Sequence, residues 1–250
     1  MIVFGYKLPM ATSLILWAIL WEAVGRLDLV SLIPPLTSVM MRFEEIVPTE
    51  TFLDVLALTA RAFALGTGIA IVVGVPIGVV MGRSAIVDRL LLPWVNVFVS
   101  APLTALVPVI MALFGFGETT IVLTVVLFAI WIVVLDARAG ARNISASLVE
   151  MAHCYGATPW QAFSKVYVWA ALPEILAGIR LGLVRAIKGV IIGQLVVSVV
   201  GFGYLFEIYQ SNFLMEHLWA LLLVLFALAF LIDGVLGYLE KRVEYYAAAR

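Results

Sequence analysis

Long apolar runs constrain this chain more than any other feature. A helix needs about 20 mostly apolar residues to cross the hydrocarbon core of a bilayer. Six runs meet or approach that length, at about residues 8–24, 59–82, 90–117, 119–135, 172–200 and 217–239. The chain is 64% hydrophobic and 12% charged, whereas soluble domains are roughly half apolar and a quarter charged. The sequence therefore predicts an all-α polytopic membrane protein, with about six transmembrane helices in one domain over residues 1–250.

Two of these runs have distinguishing features. The third contains Pro93, Pro102 and Pro108, and we expect this span to be kinked or broken because proline disrupts a helix interior. The first run is long and bulky and lacks a small-residue cleavage site. We therefore interpret it as a retained span rather than a cleaved signal sequence.

Composition also excludes several functions. The net charge of -1 argues against a nucleic-acid partner. The single cysteine, Cys154, excludes an internal disulfide framework. His153 and His217 lie far apart in the chain, which disfavours a histidine metal site. Without a G-x-x-x-x-G-K-[ST] loop, the chain cannot hold ATP by that motif. We predict no cofactor, no metal and no enzymatic activity.

The distribution of Lys and Arg outside the spans predicts the orientation. With a cytoplasmic N-terminus, the cytoplasmic side carries Lys7, Arg83, Arg89, Arg138, Arg142, Lys165, Lys241, Arg242 and Arg250. The opposite side carries only Arg26, Arg42 and Arg61. This asymmetry, nine against three, predicts that both termini are cytoplasmic.

A polar block at about residues 141–168 separates the fourth and fifth runs. Leu148, Met151 and Tyr155 recur at helical spacing, and Gly156 then favours a helix end. Thr158 and Pro159 start a second helix, as N-cap and first helical residue. The pattern predicts two short helices at an angle on the inner membrane surface. From the pattern alone, an interfacial helical hairpin without a partner remains an equal alternative.

Several segments of the chain resemble one family. Glu150-Met151-Ala152, followed by Gly156 and then Leu172-Pro173, is similar to the EAA loop of ABC importer permeases, although Met151 stands where that family usually has Ala. The segments "LIPPLTSV", "APLTALVPVIMALFGFGE", "GIRLGLVRA" and "GFGYLFEIYQ" resemble permeases of the nitrate, sulfonate, taurine and bicarbonate type. The resemblance covers about residues 33–242, and its five matches occur in the family's order.

The resemblance implies a function and a set of partners. It implies the transmembrane permease subunit of an ATP-driven importer for a small anionic or polar solute, located in a bacterial inner membrane. The implied partners are two ABC ATPase subunits, an external solute-binding protein, a second permease copy and membrane lipid. The polar block then becomes a coupling helix that contacts the ATPase, and we expect Glu150 to be oriented by hydrogen bonds or an Arg partner. The ATPase-coupling candidates are Glu150, Ala152, Tyr155, Gly156, Ala157 and Phe163.

Charges in the fifth run indicate a possible solute path. A charge at the bilayer centre costs about 3 kcal/mol or more, so such groups face a bundle interior or a cavity. Arg185 and Lys188 share a helix face. Relatives in the subgroup are usually apolar at Lys188 and often acidic at Gln194. The run thus gains a positive charge and loses a negative one, which favours an anionic solute. Pro102 and Pro108 complete the predicted translocation path.

Two alternatives stay open from the sequence. In the first alternative, Lys188 forms an ion pair with a carboxylate such as Asp136 or Asp233 instead of lining a path. In the second alternative, the whole chain is a secondary, ion-coupled transporter, although no convincing inverted repeat supports that class. A purely structural membrane protein would not require the polar block. The sequence does not identify the solute.

Overall fold

The all-α prediction is confirmed in a computed structural model, which describes residues 2–3, 6–7, 10–30 and 32–248. Within these ranges the strands are two antiparallel two-residue pieces, β1 (Ile2–Val3) and β2 (Tyr6–Lys7). The predicted start of the first span at Leu8 and the terminal charge Arg250 lie outside the described residues.

Helices account for nearly all other described residues. The first half contains α1 (Met10–Arg26), α2 (Leu36–Ile46), α3 (Glu50–Arg83), α4 (Ala85–Ser100), α5 (Val107–Phe114) and α6 (Glu118–Arg142). The second half contains α7 (Ala146–Cys154), α8 (Pro159–Ala162), α9 (Val168–Ala170), α10 (Leu172–Val197), α11 (Phe202–Ser211) and α12 (Met215–Ala248). A 3₁₀ turn at Leu103–Leu106 precedes α5, and a π-helical turn at Phe163–Tyr167 joins α8 to α9.

The predicted spans all correspond to helices. Within the described residues, α3, α6 and the Met215–Val235 part of α12 are each long and apolar enough to cross a membrane. Two bent pairs, α4 with Leu103–Phe114 and α10 with α11, raise this number to five if each pair is one span. Helix α1, at 17 residues, has the shortest length that a spanning helix adopts.

The predicted break in the third span is confirmed. Helix α4 and the following helical segment are bent by 97°. Ala101 is extended, as a residue before proline prefers, and Pro102 then precedes the 3₁₀ turn. Pro108 lies at the start of α5, where its missing N–H leaves no helical hydrogen bond unmade. Proline chemistry therefore explains both the end of α4 and the start of α5.

The described residues form two compact units. The first consists of the described residues up to Val55 together with Leu205–Ala229. The second consists of Leu56–Tyr204 together with the described residues from Phe230 onward. The second unit contains both groups of site residues predicted from the sequence.

Two tryptophans hold the proline-rich segment of the first unit. The Trp21 indole Nε1 donates to the Pro34 carbonyl at 3.0 Å, and the Trp219 Nε1 donates to the Leu32 carbonyl at 2.8 Å. The two rings meet edge to face, with centroids 5.1 Å apart. These contacts hold Leu32 and Pro34, which lie between α1 and α2.

Helix α6 is the centre of the second unit. Its buried side chains include Ile121, Val125, Ala129, Val133, Val134, Ala137 and Ala141. Glycines on both α3 and α10 approach it closely. A Cβ atom at Gly182 of α10 would lie 2.6 Å from a methyl carbon of Val133, and one at Gly78 of α3 would lie 2.7 Å from the Ala137 Cβ. Small residues thus allow these three helices to pack without intervening side chains.

A substitution at Gly78 tests this close packing, because a Cβ atom there would also contact the Val134 carbonyl and the Arg138 backbone nitrogen. We expect Gly78→Ala to lower the free energy of unfolding by about 2 kcal/mol through overpacking. Gly68, in the same helix, has open space at its Cβ position. Gly68→Ala should therefore be neutral or stabilising by about 0.5 kcal/mol. Unfolding in mixed micelles measures both, and equal stabilities would contradict the role of Gly78.

Candidate functional site

Residues 143–171, which we call the connecting segment, join α6 to α10 and contain the predicted polar block. Both predicted short helices are present, as α7 and as a second helical stretch that begins at Pro159. The second stretch is less regular than expected. It passes from α8 through the π-helical turn to α9. The arrangement places most of its polar and aromatic groups outside the apolar spans.

Helix α7 ends in the glycine motif predicted from the sequence. Gly156 has a left-handed backbone with φ +68°. Its N–H donates to the His153 carbonyl at 2.9 Å, and the Ala157 N–H donates to the Ala152 carbonyl at 3.0 Å. These two bonds define a Schellman C-cap. The chain direction after α7 is therefore fixed by hydrogen bonds.

The second stretch begins with a complete capping box. The Thr158 N–H donates to Gln161 Oε1 at 2.9 Å, and the Gln161 N–H donates to Thr158 Oγ1 at 3.3 Å. Pro159 occupies the first helical position, as predicted. Only three residues, 155–157, separate the Thr158 cap from the last residue of α7. The turn between the helices is therefore short and capped on both sides.

One side of the connecting segment packs into the helix bundle. Phe163, Tyr167 and Val168 contact a buried cluster that includes Val79, Ala137, Ala141, Ala171 and Ile175. The Arg83 guanidinium lies over the Tyr167 ring, 4.7 Å from its centroid. Ala152 and Ala162 are buried at 3% exposure each. These contacts hold the segment against α3, α6 and α10.

The other side of the segment presents aromatic rings. Tyr155 is 86% exposed and Trp160 is 72% exposed, and the Trp160 ring stacks on Phe163 with centroids 5.7 Å apart. Exposed Tyr and Trp side chains of this kind often dominate binding energy at protein interfaces. Sequence reasoning missed Trp160. A tryptophan directly after the proline of a polar helix start was the available signal.

The structure brings the predicted coupling residues into one short region but gives them different environments. Glu150, Tyr155 and Gly156 are exposed, whereas Ala157 and Phe163 are half-buried. Phe163 packs against the bundle cluster rather than standing with the most exposed residues. Glu150 makes no side-chain hydrogen bond or ion pair with any described residue, so the partner expected for it is not found within those parts of the chain.

The two cations predicted for the path lie exposed on α10. Arg185 and Lys188 make no ion pair with any side chain that the structure describes. The alternative pairing of Lys188 with Asp136 or Asp233 is therefore not formed here. One carboxylate oxygen of Asp136, Oδ2, is instead buried without a hydrogen-bond partner. Pro102 and Pro108 are also exposed, at the break between α4 and α5.

Gln194, by contrast, is fully buried at 0% exposure. Its Nε2 donates to Thr59 Oγ1 at 2.8 Å, and its Oε1 accepts the Phe202 N–H at 3.1 Å. Gly201 and Gly203 lie directly against it, with no space for a Cβ atom. Gln194 therefore stabilises the turn after α10 through these hydrogen bonds. It does not face an open path in this structure, in contrast to the prediction from the sequence. The spacing of apolar residues along the helix does not predict that a polar residue such as Gln194 is buried.

Arg185 borders a narrow crevice with apolar walls. The other lining residues are Phe98, Val99, Leu103, Phe128, Trp131 and Ile132. Phe98 and Trp131 stack with centroids 4.2 Å apart, and the Trp131 indole nitrogen is buried without a hydrogen-bond partner. Among these lining residues Arg185 carries the charge, and the crevice is too narrow to admit a water molecule.

The long apolar helices define the class of α-helical membrane proteins. Residues 74–245 match the family described as binding-protein-dependent transport system inner membrane component, and the chain belongs to this family. It is a permease subunit of an ABC importer, which confirms the predicted class and replaces the alternative of an ion-coupled carrier. Permeases of this family work with ATPase and solute-binding partners.

Similar proteins span nearly the whole chain. The taurine transport system permease of Escherichia coli is 28% identical over 89% of this chain and 84% of its own length. The aliphatic sulfonates transport permease of Bacillus subtilis is 28% identical over 90% and 82%. The bicarbonate transport system permease of Synechocystis is 23% identical over 96% and 89%.

A solved structure shares the fold. A chain of the MetNI methionine ABC transporter, in an inward-facing conformation, superposes with a TM-score of 0.60 at 22% identity. The alignment covers 77% of this chain and 94% of the transporter chain. The likeness supports the helical arrangement of the spans.

The turn after α7 can be tested through Gly156, whose Cβ position is open space. We expect Gly156→Ala to cost about 1 kcal/mol of local stability, because only the left-handed backbone opposes it. Gly156→Asn is the matched control and should cost less, since Asn tolerates this conformation. Hydrogen exchange of the Gly156 and Ala157 amides measures the effect. Equal protection in both variants would contradict the capping role.

Proposed function

We propose that the connecting segment is the site where an ATPase subunit binds. The observation that supports this most directly is the two-sided character of the segment. Its inner side packs on the bundle cluster, and its outer side presents Tyr155 and Trp160 beside Glu150. A rigidly held surface with exposed aromatics suits a protein partner, because little conformational entropy is lost when it binds.

The coupling surface in this proposal consists of Glu150, Tyr155, Gly156 and Trp160. Ala152, Ala157 and Phe163 support it from behind, since they are buried or half-buried. This grouping into exposed and supporting residues changes the set of coupling residues predicted from the sequence in one respect. Trp160 replaces Phe163 as the aromatic group that meets the partner, and Phe163 becomes the ring on which Trp160 rests.

We further propose that two copies of the chain form the translocation path, with both termini in the cytoplasm. The distribution of Lys and Arg outside the spans, nine on one side and three on the other, supports this orientation. It places the connecting segment on the cytoplasmic side, where ATP is available. An external solute-binding protein delivers the solute on the opposite side, as the family description implies.

The proposed solute is a small anion. Arg185 and Lys188 are exposed on one face of α10 and have no ion-pair partner among the described residues. In a spanning helix such charges require a water-filled cavity or an anion. The transport systems of the similar permeases are named for taurine, aliphatic sulfonates and bicarbonate, each of which carries an anionic group. These relatives support the solute class for this chain.

The coupling surface predicts the effect of added charge. We expect Glu150→Arg combined with Gly156→Asp to lower ATP-dependent uptake by about tenfold or more, because mismatched charge at an interface costs several kcal/mol. The variant should still insert in the membrane. Arg89→Glu, an exposed charge reversal on the same predicted side, is the control and should transport normally. Normal uptake by the double variant would refute the coupling surface.

The solute class predicts a role for Lys188. We expect Lys188→Met to weaken the apparent affinity for the transported anion by about tenfold, because a cation in a low-dielectric site interacts strongly with its ligand. Lys188→Arg keeps the charge and should retain most of the affinity. Uptake of taurine, an alkanesulfonate and bicarbonate by the wild type identifies the substrate to use. Unchanged affinity and rate in Lys188→Met would remove Lys188 from the path.

A further inference from the structure

We infer that Tyr167 and Arg83 are positioning residues that transmit movement of the connecting segment to the end of helix α3. The inference rests on the proposed binding of an ATPase at this segment. It adds the route by which force applied at Trp160 reaches a spanning helix. Neither residue belongs to the coupling surface, and neither lines the crevice at Arg185.

The route begins with two stacked rings. Trp160 and Phe163 are nearly parallel, with an interplanar angle of 16° and centroids 5.7 Å apart. Trp160 is 72% exposed, whereas Phe163 is half-buried against the bundle cluster. A partner that pushes on the outer ring therefore displaces the inner ring, because stacked aromatic rings leave no space between them.

The inner ring belongs to the π-helical turn at Phe163–Tyr167. Tyr167 lies at the other end of this turn and contacts the same buried cluster. π-helical turns are rare and occur frequently at functional sites. In the proposed route, this turn is the element that moves. The packed cluster on either side of it resists deformation.

Arg83 connects this turn to α3. It is the last residue of that helix, and its guanidinium lies over the Tyr167 ring at 4.7 Å from the centroid. Its Nη1 also donates to the Ala141 carbonyl of α6, at 3.5 Å. A cation over an aromatic face is attracted by the ring's electron density. The end of α3 is thus attached to the connecting segment through a side-chain contact.

A purely structural role predicts a different outcome. If the contact only stabilises the fold, its loss lowers stability but leaves movement in the assembled complex intact. If it transmits movement, its loss leaves ATPase binding intact but uncouples α3. Thiol labelling can distinguish these two roles. Cys154 on α7 is an exposed thiol in the connecting segment and serves as one labelling site.

Two labelling sites report the two ends of the route. Protection of Cys154 from a maleimide in the assembled complex reports binding of the ATPase at the connecting segment. A second thiol, Ile86→Cys in a Cys154→Ser background, lies three residues beyond Arg83 at a position that is 74% exposed in the wild type. The change in its labelling rate when the complex binds ATP reports movement at the start of α4, directly after the end of α3.

We expect Tyr167→Leu and Arg83→Gln each to reduce the ATP-dependent change at position 86 by about threefold, while Cys154 remains protected. Tyr167→Phe keeps the aromatic face and should behave as the wild type. The double variant should be no worse than Arg83→Gln alone, because that variant already removes the ring contact together with the Arg83 bond to the Ala141 carbonyl. Trp169→Leu, which removes an exposed ring from the same segment, is the control and should have no effect.

The outcomes separate the two proposals. If Cys154 is not protected in the complex, the proposed binding site itself is wrong. If Cys154 is protected but the labelling of position 86 is unaffected by ATP, or is the same in all variants, the transmission route is overturned. If Tyr167→Leu does not assemble, Arg83→Gln decides alone, since Arg83 is exposed and its removal leaves the buried cluster unchanged.

Discussion

The close approach of α3 and α10 to α6 is the constraint on which the second unit depends. Glycines at Gly78 and Gly182 bring backbones within reach of the α6 residues Ala137 and Val133. Lipid provides no hydrophobic drive for helices to associate, so packing at short distance has to supply the attraction. The buried cluster beneath the connecting segment exists because these helices meet there. The position of that segment is therefore a consequence of small residues within the membrane.

The sequence was sufficient for features with a local cause. The apolar runs predicted the spans, the prolines predicted the break after Ser100, and Gly156 and Thr158 predicted both caps of the turn in the connecting segment. Each of these depends on backbone preferences or on hydrophobic length, which a few neighbouring residues determine. The predicted family followed from short motifs and was confirmed over residues 74–245.

Features with a long-range cause were not predictable. Gln194 is polar and lies in a span, and its partner Thr59 is 135 positions away. Phe163 and Trp160 share a short helical stretch, yet one contacts the bundle and the other does not. Helical spacing alone does not distinguish a side that meets neighbouring helices from a side that meets a partner. The π-helical turn at Phe163–Tyr167, which follows Trp160, has no clear sequence signature.

The tight enclosure of Gln194 has a consequence for how this chain can vary. Gly201 and Gly203 lie so close to Gln194 that any added carbon collides with the glutamine or its backbone. Both ends of its amide are occupied by hydrogen bonds. A shorter residue at 194 would leave a void and two unmet bonds, and a larger residue at 201 or 203 would not fit. The three positions therefore depend on one another in packing, and we expect an exchange at one to require compensating exchanges at the others.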